Sequence, residues 1–555
     1  MTNINRRDFI KATAVVTAGM SLGFKLSGHF SIIIKNGTIA DGSGAPLYKA
    51  DIGISRDKID YIGDLAESSA DLIIDAKGKI ISPGFIDIHT HTDTHLLINP
   101  SADSKLRQGV TTEIGGNCGG SAFPLDEEDF ADYAVSLKER YSIDTPWHSM
   151  NEFYELLEKR KTAINFASFV GNGNIRALAV GRNDVRPSKD QMNKMKRILE
   201  EHLQNGCMGL SSGLEYAPSS YSDTEELTEL CKIVSKYDAI YNTHMRNEDD
   251  TIEEAITEAI EICTKANCSL EIAHLKTGNP ANWHKIDNVI AMIEKAQKDG
   301  VRINADRYPY IAYATGLGNF IPIWARQGST DEIIARLQDT SLIPKLKEYA
   351  ESRGKRIGGW QNVVFSNIRG EANRIFEGKS VLQAAEEKGL DTFEFIRKLL
   401  TDEKMNVGIV GFAMSEDNLK RILSHKLVMI GSDGSAVTPF GKLGEGKPHP
   451  RSYGTFARVL GKYCREEKLF GWETAVKKMT SMAAQKLKIR NRGILQRNYY
   501  ADIVVFNPET VTDKATFTDP HQFAGGIEHV IVNGVLTIRD GEYTNALAGK
   551  ILRKV

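Results

Sequence analysis

His89 and His91 stand two residues apart in PGFIDIHTHTD, and each carries an imidazole able to bind a divalent metal. If the preceding residues form a strand, positions i and i+2 point to the same side and both rings can converge on one ion. An HxH pair alone is weak evidence. Four more metal-competent side chains close or follow short apolar runs in the same way: Cys118 in GVTTEIGGNCGGS, His244 in YNTHMRNE, His274 in EIAHLKT and Asp433 in LVMIGSDGS. Imidazole and thiolate are favoured zinc ligands, and a catalytic zinc keeps a position open for water. A carboxylate beside the ion can bind it or take a proton from that water, whose pKa falls toward ~7 on the metal. His89, His91, Cys118, His244, His274 and Asp433 are therefore the expected metal set. Asp433 can serve in either way, as a ligand or as the acceptor of the water's proton.

Something must bring six residues spread over more than 300 positions to one place. Eight apolar runs read as strands, at 85–91, 110–116, 165–171, 207–213, 240–246, 270–276, 301–308 and 427–433. Amphipathic stretches such as DTEELTELCKIVSKYD and DTIEEAITEAIEICTKAN lie between them and read as helices. Strands alternating with helices predict parallel βαβ units, and eight units fit a closed (β/α)8 TIM-like barrel with its site at the strand C-termini. The stretch of about 309–426 is far too long for one crossover and predicts an inserted lid subdomain. Residues 29–84 and 491–555 are both rich in short strands and tight turns. The two ends are expected to form one small β-sandwich flanking a barrel over 85–490.

Composition removes other classes. A formal charge of −2 leaves no basic footprint, so no nucleic acid partner is expected. Cys207, Cys231, Cys263, Cys268 and Cys464 form no CxxC pair and are expected as small buried apolar residues. His202, His284, His425, His449, His521 and His529 lack a strand end and are expected on the surface or behind the site. Arg6-Arg7-Asp8-Phe9-Ile10-Lys11 precedes an apolar run too short to span a bilayer. Residues 1–28 resemble a twin-arginine (Tat) export signal without a clear A-x-A site, against the plainer reading of a basic tail. That implies an exported, periplasmic protein with no further membrane association.

PGFIDIHTH, the strand-end histidines and the SDG aspartate resemble the amidohydrolase superfamily. GNCGGS, GLSSGLEY, HLK, DRYPY, HPRSYGTF and the tail GIEHVIVNG resemble its D-aminoacylase branch, from Ser31 to the C-terminus. The resemblance implies a zinc-dependent hydrolase that cleaves small N-acyl-D-amino acids to a carboxylate and a free D-amino acid. It implies that Cys118 replaces the carboxylated lysine of other amidohydrolases. Cys118, His244 and His274 would form the tight zinc site, with His89 and His91 forming a weaker or conditional second one, and Asp433 would be the acid/base that takes the water's proton and gives it to the leaving amine. Lys276, Tyr308 and Arg451 match residues that hold the substrate's α-carboxylate.

Plainer readings stand beside these. Lys276 can be a solvated strand-end lysine, Tyr310 shares a side with Tyr308, and Arg451 can pair with a structural acid. Asn172, Tyr313 and Ala314 depart from the branch's pattern, as does the long loop between Asp433 and Arg451. All of these bear on the pocket rather than on the metal set. Alternative activities are cleavage of dipeptides ending in a D-residue and a hydantoinase- or dihydroorotase-like cyclic amidase. The missing fourth-strand lysine opposes the latter. A zinc-stabilised binding protein would need closely spaced Cys and His ligands, which are absent.

Overall fold

The computed structural model describes residues 28–144 and 147–554, and all but the last residue of the expected export signal lies outside them. Seven short strands come first: β1 (His29–Lys35), β2 (Thr38–Ile39), β3 (Tyr48–Lys49), β4 (Asp51–Ser55), β5 (Lys58–Gly63), β6 (Ser69–Asp75) and β7 (Ile80–Pro83). The chain then enters β8 (Phe85–Asp87), β9 (Val110–Gly115), β10 (Asn165–Ser168), β11 (Val170–Gly171), β12 (Gly209–Gly213), β13 (Ile240–His244), β14 (Ser269–Ile272) and β15 (Ile303–Arg307). After β16 (Ala312–Gly316), β17 (Val363–Ile368) and β18 (Val407–Phe412), it returns through β19 (Val428–Ile430). It ends on β20 (Ile503–Phe506), β21 (Ile527–Val532), β22 (Val535–Arg539) and β23 (Glu542–Tyr543).

Strands β8 to β15 and β19 are joined only by parallel ladders, in the orders β10-β9-β8 and β11-β12-β13-β14-β15-β19. Phe169 separates β10 from β11, and a parallel bridge from Thr90 to Gly434 joins the chain beyond β8 to the chain beyond β19. The ring therefore has eight strand positions, one for each apolar run. Its strands are buried on both faces, as continuous rather than alternating apolar runs require. Helices such as Thr224–Lys236 and Ile252–Ala266 bury one face each against it, through Leu227, Leu230, Cys231 and Ile256, Ala259, Ile262.

The strands are shorter than their apolar runs. β14 stops at Ile272 and β19 at Ile430, so His274 and Asp433 lie beyond the last ladder residue. His274, Asp433 and Cys118 all adopt positive φ, at 33°, 51° and 53°. Non-glycine residues rarely hold that conformation. Here it turns three side chains inward across the ring mouth.

Between β15 and β19 lies an antiparallel sheet, β16-β18-β17, with helices around a separate core of Leu317, Phe365, Ile396 and Ile409. Membership of that core ends at Ala413. The next helix, Glu416–Ser424, buries Leu419, Ile422 and Leu423 in the ring's core. The inserted unit is thus shorter than the expected 309–426. Helix Glu416–Ser424 serves as the crossover into β19.

The two chain ends meet in one sheet, β23-β22-β21-β20-β7-β2-β3, where β20 pairs antiparallel with β7. A second sheet, β5-β4-β1-β6, shares a core with it through Ile32, Ile54, Ile81, Ile503 and Ile531. The last residues leave this pair of sheets, contrary to expectation for 491–555. Ile551 bridges Phe166 of β10, and Lys554 N–H donates to Gly206. Among the described residues, no helix is long and apolar enough to cross a membrane.

Candidate metal centre and substrate cavity

The turns beyond the strands deliver two groups of donor atoms that share Cys118. One holds His89, His91, Cys118 and Asp433; the other holds Cys118, His244 and His274. Within each group every donor atom lies within 4.8 Å of the others. Cys118 Sγ is 3.3 Å from His89 Nε2 and 3.5 Å from His274 Nε2. His244 Nδ1 lies 3.0 Å from His274 Nε2. Asp433 Oδ1 is 3.0 Å from His91 Nε2 and 3.5 Å from His89 Nε2. His89 and His91 do share a side, but His89 is fully buried while the His91 side chain is 38% exposed. All six residues of the expected metal set are brought together.

The ring around them fixes each imidazole. Asp306, in the DRYPY run, meets His89 Nδ1 at 3.2 Å and accepts from the His274 N–H at 2.9 Å. Glu248, four residues after His244, lies 3.0 Å from His274 Nδ1 and 3.7 Å from His244 Nε2. Neither acid was given a role from the sequence. The available signal was an acid closing the seventh strand and another in the turn after the fifth. Beneath the pair, buried Lys105 bridges Asp87 at 2.8 Å and Glu113 at 3.0 Å and donates to Ser432 Oγ. It thereby ties the HxH strand to the turn carrying Asp433.

The electrostatics match a cation site. Burial works against charge on His244, yet Glu248 foremost raises its pKa to about 10. Partial burial opposes charge on His91, whose side chain is 38% exposed, and Asp433 and Cys118 raise its pKa to about 9. Burial would raise the Cys118 thiol, but His89 and His274 hold it well below the usual range. For Asp433 burial is outweighed by Arg451, and the carboxyl sits well below its ordinary value. Among the described residues, nothing hydrogen-bonds the buried His244 Nε2. Imidazole, thiolate and carboxylate donors facing one another fit zinc.

A cavity of about 630 Å³ opens over this cluster, walled by the ring turns on one side and by Tyr313, Asn319 and Arg353 of the inserted unit on the other. Lys276, Tyr308 and Arg451 all line it; Tyr310 does not. Tyr310 instead packs on His449 and Phe517. The Tyr308 hydroxyl is buried without a hydrogen bond among the described residues, and the Arg451 guanidinium lies 4.9 Å above its ring.

Lys276 is 5% exposed rather than solvated; its Nζ meets Glu248 at 2.6 Å and His274 Nδ1 at 2.7 Å. Arg451 Nη1 sits 2.7 Å from Asp433 Oδ2, so the acid it pairs with is the expected acid/base itself. Tyr313 and Ala314 line the cavity, whereas Asn172 turns away to bond Ser219 and Ser222. Glu215 and Tyr216 line it too, with Glu215 at 3.7 Å from His244 Nε2. His202 and His449 are both buried: His202 stacks on Phe123, and His449 lies behind the site, where it accepts from the Arg451 N–H.

Comparison with known proteins places this geometry. Residues 72–538 match the amidohydrolase family, and residues 3–23 match the signal sequence of the twin-arginine translocation pathway, which supports export. The chain is 33% identical over 524 residues to N-acyl-D-glutamate deacylase of Alcaligenes xylosoxydans xylosoxydans, covering 94% of this chain and 96% of that one. It is 32% identical over 534 residues to D-aminoacylase of the same organism, covering 95% and 98%. Its fold superposes on the crystal structure of N-acyl-D-glutamate deacylase from Bordetella bronchiseptica, complexed with zinc and a phosphonate inhibitor. That match has a TM-score of 0.80 and 31% identity, covering 95% of this chain and all of the other.

Proposed function

The chain belongs to the amidohydrolase family, and from that premise we propose that it hydrolyses N-acyl-D-amino acids to a carboxylate and a free D-amino acid. The observation that carries this reading is the pair of donor groups sharing Cys118 beneath a cavity lined by Lys276, Tyr308 and Arg451. Cys118, His244 and His274 would hold one zinc tightly. His89 and His91, with Cys118 and Asp433, would hold a second more weakly. Bound there, zinc supplies Lewis-acid chemistry, acidifying water and polarising a carbonyl. Asp433, kept ionised by Arg451, would take the proton of the attacking water and pass it to the leaving amine. Lys276, Tyr308 and the remaining Arg451 donors would hold the α-carboxylate, which the guanidinium can grip with two parallel hydrogen bonds.

This arrangement selects a hand. With the α-carboxylate and the scissile carbonyl both fixed, one direction remains for the side chain and one for hydrogen. An L-substrate would aim its side chain at the smaller slot. A dipeptide ending in a D-residue is itself an acylated D-amino acid and falls within the same reading. A cyclic amidase is disfavoured, because β12 (GLSSG) offers no lysine.

We read the ring as a (β/α)8 barrel, the inserted unit as its lid and the two terminal sheets as a β-sandwich. The match to a twin-arginine signal supports export, and on this reading the protein would act in the periplasm. A chiral screen of N-acetyl and N-succinyl amino acids, with zinc content measured, tests the proposal. D-enantiomers should be turned over with at least one zinc per chain, and equal turnover of L-enantiomers would overturn it.

A further inference from the structure

Among the described residues, four lysine and arginine side chains line the cavity: Arg182, Lys276, Arg353 and Arg451. Three are already matched, Arg182 with Asp126 and Asp129, Lys276 with Glu248, and Arg451 with Asp433. The Arg353 guanidinium has neither a hydrogen bond nor a carboxylate within ion-pair reach among the described residues. Burial works against its charge, and the carboxylates that offset this through space are Glu215 and Asp249, across the cavity on the ring. Arg353 is partly exposed, and its guanidinium carries five fixed donors that no described residue takes up. The position suits an anion that arrives with the ligand.

Its placement is firm. Arg353 lies in the last turn of the inserted helix Ile343–Arg356. A Cβ on neighbouring Gly354 would meet the Trp360 indole at 2.4 Å, so the helix lies flush on that ring, which packs against Phe320. Lys276 and Arg451 touch the donor cluster directly, at His274 and Asp433, where a group next to the scissile amide must sit. Arg353 touches none of the six donors. It stands where the more distant part of a substrate would reach.

Building on the deacylase reading above, we infer that Arg353 anchors a second carboxylate, making dicarboxylic N-acyl-D-amino acids the preferred substrates. That carboxylate can come from an acidic D-side chain or from a dicarboxylic acyl group such as succinyl. The test compares kcat/KM of the zinc-loaded full chain for N-acetyl-D-glutamate, its neutral isostere N-acetyl-D-glutamine, N-succinyl-D-leucine and N-acetyl-D-leucine. One charged member should exceed its neutral counterpart by ~10- to 100-fold, chiefly through KM. The glutamate pair would identify the side chain as the source, and the succinyl pair the acyl group. Arg353→Met should bring that ratio close to one, and Arg353→Lys should restore part of it. A wild-type ratio near one in both pairs would overturn the inference and leave the deacylase reading standing, as would an unchanged ratio in Arg353→Met. Failure to hydrolyse any of the four would overturn both.

Discussion

Arg451 and Asp433 form an ion pair, Nη1 to Oδ2 at 2.7 Å, on the carboxylate oxygen opposite the one that faces His91. One arginine therefore adjoins both the acid/base and the cavity. Replacing it with lysine keeps the charge but loses the fork. Arg451→Lys should lower kcat/KM for every D-substrate by a similar factor, ~10- to 100-fold, with zinc content unchanged. Steady-state kinetics on several D-substrates check this. Full activity in the variant would remove Arg451 from the site.

Asp433→Asn keeps the shape but cannot accept a proton. It should reduce kcat by ~10²- to 10⁴-fold while retaining the fold and most of the zinc. A loss of less than about tenfold would assign the base to another residue.

Cys118 belongs to both donor groups, so its loss should be felt by both. Cys118→Ala should lose zinc and activity together, and dialysis against a chelator should do the same to the wild type, reversibly on adding zinc. Gly213 provides a gentler probe. A Cβ there would meet the Cys118 carbonyl oxygen at 2.0 Å, so Gly213→Ala should displace the thiolate and weaken zinc affinity with Cys118 still present. Metal titration of a zinc-replete Gly213→Ala protein at wild-type affinity would contradict this.

Glu113 sits buried beside Lys105 and Asp87, and burial raises its pKa to about 7 despite the lysine. A folded pKa above the unfolded one gives stability that is complete below the ordinary 4.5 and lost as pH rises through about 7. Glutamine is always neutral and loses nothing. The stability of Glu113→Gln relative to wild type should therefore rise between those pH values, by on the order of 3 kcal/mol at most. Denaturant unfolding at pH 4.5 and 7.5 measures it. A flat difference would mean that Lys105 keeps Glu113 ionised throughout.

Much of the centre was legible in the chain itself. Apolar runs of strand length fixed eight strands, and polar donors closing those runs fixed His89, His91, Cys118, His244, His274 and Asp433 as residues of one rim. Period-two spacing pointed His89 and His91 toward one ion, although β8 ends at Asp87 and the bend beyond it is what carries both rings to the site. That information is local, because a strand's direction and facing follow from its own residues. Partnerships between strands do not. Asp306 beneath His89, Glu248 between His274 and Lys276, and Arg451 on Asp433 join segments 18 to 217 residues apart. They exist only once the ring has closed. The same closure decided that helix Glu416–Ser424 belongs to the ring, and that the C-terminal residues cross to β10, since both depend on which exposed apolar face lies nearest. Arg353 is the extreme case. Nothing in ESRGKR distinguishes it from its neighbours, and only the packing of Gly354 on Trp360 turns it from a surface cation into the wall of the cavity.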